Sequence, residues 1–195
     1  MNGFNSYCDS LLLEISLNLE NAYEWHALTP RELKEKIPDR WDEFYRVYSF
    51  SINEQEYLAA YMKNREFHFF NYTNAVQRED GATDLDLNMW GIGELMKLAS
   101  TLFSIMQFAA KYTTAFIIVP PEIGGDGRRK EIYLKIIKTN YKKFLPNYEI
   151  EESDNSPTFM LYLPDPHKSA IPEANLRYQS GLIKRFNQVC EKQQN

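Results

Sequence analysis

The stretch Asn88-Met89-Trp90-Gly91-Ile92-Gly93-Glu94-Leu95-Met96 decides the reading of this chain. Two glycines one residue apart run straight into an apolar helical pattern. Leu95, Leu98, Ala99, Leu102, Met106 and Ala109 recur at three- and four-residue spacing, which predicts a long helix from Gly93 to Tyr112. The first N–H groups of a helix have no intrahelical acceptor and sit at the positive end of its dipole. A glycine turn at that point is therefore a ready anion site. The plainer alternative is two glycines that let the chain bend into the helix.

Working outward, Asp84 to Asn88 reads as a short strand, with Leu85 and Leu87 on one side and Asp84 and Asp86 on the other. Beyond the helix, Thr114 to Val119 is β-branched and apolar, a buried strand ended by Pro120-Pro121. The crossover between 84–88 and 114–119 has the length of a parallel connection. Gly124-Gly125-Asp126-Gly127 is a turn, and Arg128 to Phe144 a second long helix. Tyr148–Glu152 and Thr158–Leu163 form a strand pair.

Before the glycine turn the period is two. Phe44, Tyr48, Phe50 and Ile52 alternate with Tyr45, Val47, Ser49 and Ser51. Strands at 56–63 and 66–72 follow, joined through Asn53-Glu54 and Asn64-Arg65, which predicts an antiparallel meander. The ends read as helices. Residues 6–22 place Leu12, Ile15 and Leu19 on one face, and Thr29-Pro30-Arg31-Glu32 is a capping box with Pro at the first helical position. That helix should stop before Pro38. The tail from Glu173 to Lys192 is amphipathic through Leu176, Leu182, Ile183, Phe186 and Val189. The expected class is α+β, with a helical arm over 1–43, a core over 44–163 and a C-terminal helix over 164–195 packed on the same domain.

With 195 residues, 44% of them hydrophobic, the chain can bury a sizeable core. A net charge of -5 argues against a dedicated nucleic-acid binder. Basic residues do crowd one segment, from Arg128, Arg129 and Lys130 through Lys135, Lys138, Lys142 and Lys143. They read as a solvated helix face or as a local phosphate-attracting patch. Cys8 and Cys190 read as free thiols in a reducing compartment. No signal peptide and no membrane span is expected, and a cytoplasmic setting follows. His26, His68 and His167 stand apart in sequence and give no metal or triad pattern.

The order of elements and the glycine loop resemble the GNAT superfamily, the N-acetyltransferases that use acetyl-CoA. The family's pyrophosphate loop reads Arg/Gln-x-x-Gly-x-Gly/Ala before a helix, and here Asn88-Met89-Trp90-Gly91-Ile92-Gly93 takes that place. Asn88 stands where the family has Arg or Gln. The helix leads to the apolar strand Ala115-Phe116-Ile117-Ile118-Val119, and Tyr141-Lys142-Lys143-Phe144-Leu145 takes the place of a Tyr-x-x-x-Gly-Phe pattern. The resemblance spans about residues 44–163. It implies acetyl-CoA as cofactor, no metal, and an amine of a small molecule or protein as acceptor. It implies that Asn88, Gly91, Ile92, Gly93 and Glu94 hold the pyrophosphate, that Tyr141 protonates the departing thiolate, and that Asp84 or Asp86 serves as base. A second reading is a non-enzymatic interaction protein (an immunity protein, a secretion chaperone or a phage-type antagonist). The acidic balance, the tyrosine-rich meander and Trp25, Trp41 and Trp90 as interface anchors fit it.

Overall fold

Alternation from Phe44 onward builds a sheet. In the computed structural model, which describes residues 17–72, 92–118, 128–153, 158–165 and 182–192, strands β2 (Phe44–Ile52), β3 (Gln55–Met62) and β4 (Glu66–Asn71) form the expected antiparallel meander. Asn53 and Glu54 both take positive φ, at 49° and 66°, the two-residue turn whose twist matches the flanking strands. The second turn closes with the Arg65 amide donating to the Met62 carbonyl at 3.0 Å and Arg65 at φ 79°.

The sheet begins earlier than the sequence suggests. Strand β1 (Trp25–Ala27) lies within the segment expected as a helical arm and pairs antiparallel with β2, Trp25 opposite Phe50. Three residues are too few to display a period. Of the helix expected over 6–22, the described part, 17–22, holds a 3-10 turn at Leu19–Asn21 capped by Asn18. Helix α1 (Pro30–Lys36) has the Thr29/Glu32 capping box and ends before Pro38.

Helix α2 (Ile92–Ala109) leads to β5 (Ala115–Ile118), and helix α3 (Arg128–Phe144) to β6 (Glu149–Glu152) and β7 (Phe159–Tyr162). Helix α4 (Leu182–Lys192) closes the described chain. The seven strands lie in the order β1-β2-β3-β4-β5-β7-β6. Among the described pairs, β4 with β5 is parallel and all others are antiparallel.

This corrects one expectation. The parallel neighbour of β5 is β4, through Glu66 opposite Ile117 and Phe67 opposite Ile118, and β7 holds the other edge. The strand expected at 84–88 lies outside the described residues. The physical reason is simple. The last meander strand has a free edge, and β5 adds to it.

Period two then sorts the core into faces. One face carries Tyr48, Phe50, Tyr57, Ala59, Tyr61, Phe67, Phe69, Phe116, Ile118, Phe159 and Leu161. Against it pack Leu98, Leu102, Phe103 and Met106 of α2 and Ile137 and Phe144 of α3. The other face carries two separate apolar patches. Val47, Leu58 and Ala60 meet Leu33 of α1, while Ala115, Ile117 and Met160 meet Phe186, Val189 and Cys190 of α4. Helix α4 thus covers part of the other face of the sheet.

A buried polar knot ties the meander to the second half of the sheet. Arg65 Nη1 donates to the Tyr61 hydroxyl at 2.9 Å and to Thr113 Oγ1 at 3.0 Å. Tyr61 also bonds Thr113 through their hydroxyls and donates to the Ala115 carbonyl at 3.0 Å. Tyr148 donates to the Thr113 carbonyl at 2.6 Å. Burial raises the phenol pKa of Tyr61, with the Arg65 cation pulling the other way.

Candidate functional site

The strand register fixes where the ends of the elements meet. Trp25 lies opposite Phe50, Phe50 opposite Tyr57, and Tyr57 opposite Asn71, the last residue of β4. The chain entering Trp25 therefore approaches at the carboxyl end of β4. The far end of α2 lies beside the start of β5, because the Thr113 amide donates to the Ala109 carbonyl at 3.2 Å, two residues before Ala115. Its Ile92 end therefore points back toward the carboxyl end of the parallel pair.

Between these parts lies a groove of about 540 Å³. It is lined on one side by Leu17, Asn18, Glu20, Asn21 and Ala22, and on the other by Gly93, Met96, Lys97 and Ser100 of α2. The segment is held to the helix by the Tyr23 amide, which donates to Thr101 Oγ1 at 2.8 Å, and by the Trp25 indole, which donates to Ser104 Oγ at 3.0 Å. Lys97 Nζ sits 4.2 Å from the centre of the Tyr23 ring. Burial, and after it the charge of Glu94, raises the Tyr23 phenol pKa. The groove thus offers one ammonium, two amides, a hydroxyl and the carboxylate of Glu20 beside the apolar side chains of Leu17 and Met96.

Gly93 is informative. It takes no positive φ, and a Cβ built on it meets nothing within 4 Å. Neither its own backbone nor packing against a described neighbour requires glycine there, yet glycine disfavours a helix by about 1 kcal/mol relative to alanine. Ile92 opens the helix, so the amides of its first turn lack an intrahelical carbonyl.

The other expected residues fall elsewhere. Asp84, Asp86, Asn88 and Gly91 lie outside the described residues. Tyr141 belongs to the buried core at the last turns of α3. Burial raises its phenol pKa first, then the charges of Glu149 and Glu152 on β6. Gln107 of α2 reaches the Phe144 carbonyl at 2.9 Å, so α2 and α3 end side by side. From that level Gly93 and Glu94 are about 20 Å up the helix axis, at 1.5 Å per residue. Three lysines of α3 are engaged within the protein. Lys138 pairs with Glu152 at 2.5 Å, Lys142 donates to the Tyr148 carbonyl at 2.6 Å, and Lys143 to the Leu17 carbonyl at 2.6 Å.

Sequence reasoning missed one pair. His68 Nε2 lies 2.5 Å from Glu66 Oε2, and Asn64 Nδ2 donates to Glu66 Oε1 at 2.6 Å. Residues two apart on a strand share a face, and this Glu-x-His spacing was the available signal. Among the described residues no group of three or more His, Cys, Asp or Glu could hold a metal, and no helix is long and apolar enough to cross a membrane. Comparisons with protein-family models, curated proteins and solved structures return no match for this chain.

Proposed function

We propose that this chain is an acyl-CoA-dependent N-acyltransferase of GNAT type that moves an acetyl group to the amine of a small molecule or protein. The observation that carries the reading is the β4–α2–β5 crossover. It turns an antiparallel meander into a parallel pair at the middle of the sheet. Open sheets receive ligands beyond the carboxyl ends of such strands, where the connectivity changes. The Ile92 end of α2 and the groove beside Gly93 lie toward that end. First-turn amides there would hold an anionic cofactor group, with Asn88 and Gly91 completing the loop and Glu94 at its edge. Asp84 and Asp86 retain the role of base in this reading. Tyr141 retains the role of acid in this reading, its phenol pKa raised by burial. A cytoplasmic setting fits the buried free thiol of Cys190.

Calorimetric titration with acetyl-CoA tests the reading. It should give saturable heat and raise the melting temperature, and Gly93→Glu should abolish both by placing a carboxylate at the phosphate position. Absence of heat and of a thermal shift for the unaltered protein refutes it.

A second reading rests on Trp41 and Tyr45, large aromatic side chains left 40% and 44% exposed. Trp and Tyr are favoured anchors of protein interfaces. An interaction protein without catalysis would use them, and a stoichiometric partner lost on Trp41→Ala and Tyr45→Ala would favour it.

A further inference from the structure

Gly93, Met96, Lys97 and Ser100 follow the three- and four-residue spacing of one helix face. That stripe of α2 meets the segment 17–22, and the groove of about 540 Å³ runs between them. Its volume suits a small molecule. The segment is fastened at both ends. Lys143 Nζ donates to the Leu17 carbonyl at 2.6 Å, and the Tyr23 amide donates to Thr101 Oγ1 at 2.8 Å. The fold itself therefore builds the groove.

Ser100 is the residue that asks for a ligand. It is 2% exposed and lines the groove, and its hydroxyl has no hydrogen-bond partner among the described residues. A helical hydroxyl commonly turns back to the carbonyl four residues earlier, as Thr101 does to Lys97 at 2.9 Å. Ser100 makes no such bond. A buried hydroxyl without a partner is costly, and a polar group seated in the groove would satisfy it.

The charges of the groove stand on opposite walls, Lys97 on the helix and Glu20 on the segment. Lys97 Nζ rests on the Tyr23 ring, which leaves its N–H donors without an oxygen acceptor among the described residues. Glu20 takes the Asn18 side-chain amide on Oε2 at 3.3 Å, while Oε1 has no partner among the described residues. No ion pair joins Lys97 or Glu20 to a described residue. A purely anionic ligand would meet Glu20, and a purely cationic one would meet Lys97. A molecule with both an ammonium and a carboxylate complements the two walls. Lys97 and Ser100, three positions apart on a helix, are neighbours that can share one carboxylate.

We propose that this groove binds a free α-amino acid with an apolar side chain. Its carboxylate meets Lys97 and the Ser100 hydroxyl, its ammonium meets Glu20, and its side chain lies on Leu17 and Met96. The site goes beyond the acyltransferase reading and does not rest on it. Ser100 is about 10 Å along α2 from Gly93, at 1.5 Å per residue, so the first-turn amides stay available to an anionic cofactor group.

Calorimetric titration of the full chain with L-leucine and L-phenylalanine, without acetyl-CoA, tests the site. Both should give saturable heat and raise the melting temperature. N-acetyl-L-leucine lacks the ammonium and L-leucinamide lacks the carboxylate, so each should bind about tenfold weaker or worse. Glu20→Gln and Lys97→Gln should melt as the parent does and weaken L-leucine by a similar factor of about ten. Each substitution should leave unchanged the analogue that already lacks its partner group: N-acetyl-L-leucine for Glu20→Gln, L-leucinamide for Lys97→Gln. Ser100→Ala should melt as high as the parent or higher, because it removes an unpaired buried hydroxyl, yet hold L-leucine less tightly. No heat from either amino acid overturns the proposal. So does binding that treats L-leucine and its two analogues alike, or that survives both charge substitutions. Acetyl-CoA binding is read in its own titration, so either reading can fall while the other stands.

Discussion

Arg65 Nη1 lies 2.9 Å from the hydroxyl of Tyr61, four residues earlier and across a hairpin turn. Arg65 is nearly buried and holds a φ of 79°, a conformation in which glycine is the usual residue. The strain is retained because the guanidinium also reaches Thr113 at the entry to β5. One side chain thus joins the meander to the strand that the crossover delivers. Arg65→Met should lower unfolding free energy by about 2–4 kcal/mol in urea titrations, since buried oxygens lose a charged donor. Arg65→Gly should be less damaging than Arg65→Met by about 1 kcal/mol, because it removes the same bonds but relieves the backbone.

Gly93 separates a ligand site from a structural turn. Gly93→Ala should raise stability by about 0.5 kcal/mol, as open space surrounds the new methyl and the helical φ suits it. If the backbone there is approached by a cofactor, the same substitution weakens acetyl-CoA binding while the protein grows more stable. Parallel thermal and calorimetric measurements read the two effects separately.

Tyr48 is fully buried and its hydroxyl has no partner among the described residues. Tyr48→Phe should therefore be neutral or stabilising by about 1 kcal/mol. Burial pushes the Tyr48 pKa up from 10.0 to about 12. The unfolded chain loses this proton first, so the contribution is intact below about pH 10 and is lost as pH rises toward 12. Urea midpoints taken through that alkaline window should fall less steeply in Tyr48→Phe than in the parent.

Cys190 is a buried free thiol packed with Phe186 and Val189 against β5 and β7. Its modification by a thiol reagent should be slow in the native protein and fast in denaturant. Phe186→Ala should cost about 3–4 kcal/mol and accelerate native-state modification, because it loosens α4 from the sheet.

Much of this architecture is legible in the residues because its signals are local. Alternation through Tyr48, Phe50 and Ile52, the helical spacing of Leu98, Leu102 and Met106, and the Thr29/Glu32 box each declare an element within a few positions. What escapes is set by distance or brevity. Trp25–Ala27 is a strand only because β2 offers an edge. The parallel partner of β5 is chosen by which edge is free, and no pattern at 66–71 or 84–88 encodes that choice. Arg65 occupies a turn position that composition assigns to glycine, so its role is visible only once Thr113 arrives beside it. The candidate site divides the same way. Gly93 announces itself by sequence, while the burial of Tyr141 in the core shared by α2 and α3 shows only once the two helices are packed. Glu66 and His68 are two positions apart, and their contact shows only once the strand puts both on one face.

Among the described strands β6 is one edge of the sheet; it carries Glu149, Glu151 and Glu152, and Lys138 pairs with the last of these at 2.5 Å. A β-edge is an adhesive surface, with a row of backbone groups ready to accept another strand. Here a second copy approaching in register would bring carboxylates against carboxylates. The border of the sheet is thus defended against self-stacking by charge, and salt that screens those carboxylates should make the protein quicker to clump.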